Sequence, residues 1–211
     1  MNCSISGFND IDEISICHRK AFPNSFSSKL PFFFTRKMFQ FYLESPRGLL
    51  FHVKLNDKII GYCGVLKTKE FGIEGSSTTM SQYLFGTMVK ALLCKPWVAF
   101  HKDNFNRIPL IKKNLLLKLG IKKKPIDKIL VEDLFEPFWG LVVIGVNPKL
   151  HGKGVGSLIL QEFESLAKKD GIQKLILSVK TENLKAINSY KRNNWVINSN
   201  NGESITMFKN I

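Results

Sequence analysis

The chain has 211 residues, of which 44% are hydrophobic and 17 are Phe, and it carries a formal net charge of +14. That length suits one domain, or one domain with a large insertion, and the composition excludes a disordered chain. The charge predicts anionic company and says nothing about fold.

The four cysteines, Cys3, Cys17, Cys63 and Cys94, have no metal-like spacing, so neither a disulfide framework nor a zinc or other metal site is expected. A reducing cytoplasm is the natural setting. Asn9, Asp10, Asp12 and Glu13 interrupt the N-terminus where a signal peptide would be apolar. No uncharged run reaches the ~18 residues of a membrane span.

In chain order, a short strand is predicted near Asn2 to Ser6, then a helix from Asp10 to about Phe22 that Pro23 stops. A second helix is predicted over Leu30 to Leu43, its apolar face made of Phe33, Phe34, Met38, Phe41 and Tyr42; core packing is the plain account of these aromatics. Leu49 to Leu55 and Ile59 to Leu66, joined by Asn56-Asp57-Lys58, read as a hairpin.

The stretch from about 70 to 136 is too long for a plain loop and is expected to be a helical insertion. Met80 to Leu93 and Leu110 to Leu119 carry helical patterns. Between Ser76 and Ile126 there are ten Lys or Arg and one acid, Asp103. This basic, amphipathic character leaves two accounts open, a face on an anionic membrane surface or lysines turned to water over an apolar side packed on the core. Lys122-Lys123-Lys124 is a short basic cluster, but no nucleic-acid recognition module accompanies it, so nucleic acid is not the expected partner.

Leu141 to Val146 is an apolar, β-branched run ended by Asn147-Pro148, the pattern of a buried strand. After it come His151, Gly152, Lys153, Gly154, Val155 and Gly156, and then a helix with apolar positions at Val155, Leu158, Ile159, Phe163, Leu166 and Ala167 that closes with Lys168, Lys169 and Gly171. A glycine loop that feeds a helix N-terminus gathers free N–H groups at one place and attracts phosphate. Ser157 stands where a dinucleotide fingerprint would need glycine, and no Gly-Lys-Ser/Thr closes a Walker loop. Gln173 to Val179 then reads as a strand, Leu184 to Arg192 as a helix ended by Asn193-Asn194, and Trp195 to Asn198 with Ser204 to Phe208 as a terminal hairpin.

The glycine stretch resembles motif A of the GNAT superfamily of acetyl-CoA-dependent acyltransferases, R/Q-x-x-G-x-G/A after the central strand. Gly154 and Gly156 fit it, and His151 stands where Arg or Gln is usual. Asn183, Ala186, Tyr190 and Trp195 are similar, residue by residue, to that family's next motif. The resemblance is clear from Trp139 to about Trp195 and implies an α/β fold, a twisted mixed sheet flanked by helices, here one GNAT-like domain over 1–211 with the insertion at about 70–136. It further implies that the loop from His151 to Gly156 holds the CoA pyrophosphate and that edge groups of Ile144 and Val146 hold the pantetheine. By the same resemblance Asn183 binds the cofactor arm and Tyr190 is the general acid.

Acyl transfer from a thioester to an amine needs a bound donor, a neutral amine, a polarised carbonyl and an acid for the leaving thiolate. Gly145, which weakens a strand interior, is the expected place for the bulge that opens the site. Many relatives carry Glu eight positions before the proline, and here that position is Gly140. Glu132, Asp133, Glu136 and His101 are nearby ionisable groups, each read first as a surface group. The resemblance implies an acetyl-CoA-dependent N-acetyltransferase acting on a primary amine. The charge favours an anionic small molecule such as an amino sugar linked to a nucleotide or lipid; a protein N-terminus or lysine is the alternative acceptor. A non-catalytic CoA-binding or interaction module of the same fold is the alternative of another class. Localisation is expected to be cytoplasmic, with the inner membrane face as a peripheral site, and the oligomeric state is left open.

Overall fold

The computed structural model describes residues 1–69, 76–100 and 135–211. In chain order the strands are β1 (Asn2–Ile5), β2 (Gly48–Leu55), β3 (Lys58–Thr68), β4 (Phe138–Val146), β5 (Lys174–Lys180), β6 (Val196–Asn200) and β7 (Ser204–Asn210). The helices are α1 (Ile11–Ala21), α2 (Phe26–Lys29), α3 (Phe32–Glu44), α4 (Ser76–Cys94), α5 (Val155–Lys169) and α6 (Leu184–Arg192). The strands form one mixed seven-stranded sheet in the order β1-β2-β3-β4-β5-β7-β6. Among the described strands, only β4 and β5 run parallel.

Local chemistry explains most element ends. Asn56 and Asp57 both take positive φ, 50° and 59°, the left-handed pair that a two-residue hairpin turn between twisted strands requires. Pro31 corrects the expected second helix: Leu30 is extended before it at ψ 163°, and α3 begins at Phe32, leaving Phe26–Lys29 as a separate turn. In the expected insertion, α4 starts at Ser76 rather than Met80. The expected helix from Leu110 to Leu119, His101, Glu132, Asp133 and the lysines at 112, 113 and 122–124 lie outside the described residues.

The sheet separates two cores. On one face α5 and α6 cover Phe51, Cys63, Trp139, Leu141, Leu177 and Met207, with Phe163 and Trp195 stacked at 6.4 Å between ring centres. On the other, α1 and α3 press Ile14, Phe39, Phe41 and Tyr42 onto Leu50, Tyr62 and Leu66. Most of the aromatic face of α3 is therefore core, since Phe34, Phe39, Phe41 and Tyr42 are each 3% exposed or less, whereas Phe33 and Met38 are partly buried and Phe32 is exposed. Burying each such ring contributes roughly 1.5–3 kcal/mol relative to leaving it in water.

Candidate acyl-transfer site

The site begins where β4 leaves β5. Their parallel pairing runs from Phe138 opposite Lys174 to Leu141 opposite Leu177 and stops, although β4 continues to Val146 and β5 to Lys180. At the same level the register of β4 against β3 slips, since Gly64 faces Val143 and Val65 faces Leu141. Val142 is thus the extra residue of a bulge, which corrects the expectation placed on Gly145. The bulge resets the alternation of side chains. Trp139 and Leu141 face α5, Val142 and Val143 turn to the α1–α3 core, and Ile144 and Val146 return to the α5 side. Gly145 has another reason to be glycine: a Cβ there would lie 2.4 Å from a Tyr62 ring carbon.

Beyond the bulge the backbone has one paired and one open edge. Asn147 N–H donates to Ile60 O on the β3 side at 2.8 Å, so strand alternation turns the N–H and C=O groups of Ile144 and Val146 toward the side from which β5 has departed. The contact of His151 agrees, for its Nε2 lies 3.2 Å from Val146 O and donates to it across that open edge.

The glycine loop follows directly. Asn147 caps a short 3-10 turn over Pro148–Leu150, its side chain accepting from Lys149 N–H. Gly152 and Gly154 take φ of +77° and +78°, which glycine adopts without steric cost. Gly154 is the N-cap of α5 and has no side chain with which to cap it, so the first N–H groups of α5 have no side-chain partner and point outward with the positive end of the helix dipole. Gly156 differs from these two. It lies inside the first turn of α5 without a positive φ, and a Cβ there would meet nothing within 4 Å. Neither conformation nor packing requires glycine at 156, and in a helix it costs about 1 kcal/mol relative to Ala. Open space over bare backbone is what close approach by a ligand needs. His151, Gly152, Lys153 and Gly154 are exposed, and Val155 is buried as the first anchor of α5.

The second motif meets the first from the same face. Asn183 caps α6, its side-chain oxygen accepting from Ala186 N–H at 3.2 Å. Tyr190 is 7% exposed and packs in the core under α5 and α6. Burial pushes its phenol well above the usual tyrosine range, and the nearby Cys63 thiol adds to the rise, so the ring keeps its proton at neutral pH. Cys63 sits opposite Ile144 in the β3–β4 register, which places the Tyr190 ring on the stretch of sheet beside the split. The two motifs are also tied directly, because Asn193 Nδ2 donates to Ser157 Oγ at 3.3 Å, one residue beyond Gly156. Nothing in the spacing of Ser157 and Asn193 announced that bond, which depends on how two helices far apart in sequence dock.

Among the expected acids, Glu136 is an exposed side chain paired with Lys174 Nζ at 2.9 Å, a surface ion pair. Gly140 has room, the nearest atom to a Cβ there being Leu66 O at 3.5 Å. Among the described residues no three His, Cys, Asp or Glu side chains come together as a metal site would need.

Residues 120–195 match the acetyltransferase (GNAT) family as described by its sequence model. No curated protein matches the chain. Several solved structures share the fold. The PaiA N-acetyltransferase of Thermoplasma acidophilum, determined in complex with coenzyme A, aligns at a TM-score of 0.56 and 12% identity over 100% of both chains. The ribosomal-protein-S18-alanine N-acetyltransferase of Escherichia coli aligns at 0.55 and 14%, over 100% of this chain and 93% of that one. Arabidopsis thaliana NAA60, in complex with acetyl-CoA, aligns at 0.57 and 13%, over 100% of this chain and 98% of that one. At these identities the likeness is one of fold.

Proposed function

We propose that this chain, of which residues 120–195 match the acetyltransferase (GNAT) family, transfers an acetyl group from acetyl-CoA to a primary amine. The observation that carries this reading is Gly156, a helical glycine with open space over it that neither backbone angle nor packing accounts for, set beside the split of β4 and β5. The loop from His151 to Gly156 would hold the pyrophosphate through backbone N–H groups, with Lys153 adding charge from outside. Ile144 and Val146 offer the open-edge groups that an extended amide-bearing arm pairs with, as an added strand does. The thioester supplies the acyl group and a thiolate leaving group. His151 would have to leave Val146 O for that carbonyl to accept from the arm. Asn183 spends its oxygen on the α6 cap and keeps its amide donors for the arm.

Tyr190 is the proposed proton donor to the departing thiolate. Its raised pKa keeps the proton available, and its buried ring fixes where the hydroxyl points. The amine must lose a proton before or during attack, and no carboxylate occupies position 140 to take it, so we assign that step to water or to an amine that arrives neutral. For the acceptor, the net charge of +14 favours a small anionic amine such as an amino sugar bearing a nucleotide or lipid group. A protein N-terminus or lysine is the second acceptor class. Cytoplasmic residence agrees with four free cysteines, and no described helix is long and apolar enough to cross a membrane.

The deciding measurement is release of free thiol from acetyl-CoA against a panel of amines, run beside CoA binding by calorimetry. Turnover on an anionic amine supports the reading. CoA binding with no turnover on any amine favours a binding module, the alternative that Gly140 in place of Glu supports. Absence of CoA binding overturns both.

A further inference from the structure

The helix α4 is apolar on two sides. Its sequence contains no acid and one base, Lys90. Leu84 and Ala91 are buried inward, and Val98 beyond the helix joins them in a core with Phe26, Leu30 and Phe34. The opposite side shows Val89, 46% exposed, then Leu93 at 79%, Trp97 at 66% and Phe100 at 78%. Val89 and Leu93 lie one turn apart on α4, and exposed Trp97 and Phe100 follow in the 3-10 turn Pro96–Phe100 past its end. A surface helix normally turns charge outward, whereas the last turns of α4 expose Val89 and Leu93. The charges that do border this apolar patch are basic. Lys90 lies over the Phe33 ring at 5.8 Å and Lys95 donates to Lys29 O at 3.3 Å, which anchors both ammonium groups beside the patch.

We propose that this patch seats the protein on an anionic lipid bilayer, with Trp97, Phe100 and Leu93 at the headgroup boundary and Lys90 and Lys95 on the lipid phosphates. Charge chooses the occupant. Two copies meeting through this face would bring basic rims together in a chain of net charge +14, whereas an anionic headgroup layer complements them. Trp and Phe with flanking lysines are also the residue types that favour the membrane–water interface. Such seating is independent of whether the chain transfers acetyl groups.

The full-length protein contains its own probe. Of three tryptophans, Trp139 and Trp195 are each 2% exposed, so a change in tryptophan emission on adding lipid reports Trp97. With vesicles of phosphatidylcholine and phosphatidylglycerol at low salt, the protein should co-sediment and its emission should shift to the blue, while pure phosphatidylcholine should do neither. Lys90→Gln with Lys95→Gln, which also removes the Lys90–Phe33 contact and the Lys95–Lys29 O bond and is therefore checked for an unchanged Tm, should weaken partitioning roughly ten-fold or more, and high salt should do the same. Leu93→Glu with Phe100→Glu should abolish it. Three results would overturn the proposal: no co-sedimentation with anionic vesicles, equal binding to neutral ones, or a Trp97 already shielded from acrylamide in lipid-free buffer, which would mean the face is covered within the protein.

Discussion

The Trp195 amide donates to the Tyr190 carbonyl at 3.1 Å, and Asn194 N–H donates to Lys191 O at 3.0 Å just inside it. These paired bonds close the C-terminus of α6 through Asn194, which takes the left-handed φ of 64°. The same turn brings the two rings to 6.1 Å. The proposed acid is thus fixed both by its backbone and by an aromatic neighbour. That arrangement separates its packing from its hydroxyl. Tyr190→Phe should keep the fold and CoA binding and lower kcat by ~10²-fold or more, because only the donated proton is lost. Wild-type kcat in the variant would leave Tyr190 a core residue.

Gly154 and Gly156 should part company when each is replaced by Ala. At 154 a side chain must adopt φ of +78°, so the free protein should lose ~1 kcal/mol or more. At 156 the helical backbone accepts Ala, and the free protein should gain ~0.5–1 kcal/mol. CoA protection should nevertheless shrink in Gly156→Ala, since the methyl occupies the space the ligand needs. Thermal unfolding with and without CoA measures both quantities. A Gly156→Ala protein that is stabilised yet retains full CoA protection would refute the pyrophosphate assignment.

His18 gives the fold a predictable pH response. It is 5% exposed, its Nδ1 meets Tyr62 OH at 2.5 Å and its Nε2 meets Ser27 Oγ at 2.9 Å. Burial first, and Arg19 beside it second, lower its pKa from 6.5 to about 4. The folded state therefore resists a proton that the unfolded state accepts. Above pH 6.5 neither state is charged there and stability is unaffected. As pH falls from 6.5 toward 4 the unfolded state gains its proton first and stability drops, by on the order of 3 kcal/mol in total, before levelling off. Urea unfolding of wild type and His18→Gln at pH 7 and pH 4.5 isolates this share from the carboxylates. Equal losses in the two proteins would show that His18 does not titrate in this way.

What the sequence disclosed depended on how local its signals were. The strand into Val146, the loop of Gly152 and Gly154 and the end of α6 at Asn193-Asn194 are each set by neighbours within a few residues, and all were legible. The bulge at Val142 was not, because Val is an ordinary strand former and the slip exists only in register with Gly64 and Val65. Gly145 misled for the complementary reason. Its lack of a side chain answers to the Tyr62 ring across the ladder, a contact that residue order does not show. The Asn193 to Ser157 bond likewise needed the docking of α6 on α5.

Position 140 permits a test by addition. It follows Trp139, which is buried toward α5, so strand alternation turns a side chain at 140 to the other face of the sheet, the face that receives Val142 at the bulge. A Cβ at 140 would be in ordinary contact with Leu66 O at 3.5 Å, and the glycine has no positive φ, so Gly140→Glu should fold with little loss. If acetyl transfer proceeds with water or an already neutral amine, wild-type kcat/KM should climb with pH as more acceptor loses its proton. A carboxylate beside the bulge supplies a base for that step, directly or through one water. It should then raise kcat/KM at neutral pH by ~10-fold or more, at the low end of general-base effects because no surrounding groups have been adapted to it. The gain should shrink at high pH, where the amine is neutral without help. A pH–rate profile of both proteins on the same amine reads this out. A folded Gly140→Glu protein whose profile overlays the wild type would show that deprotonation at this position does not limit the reaction.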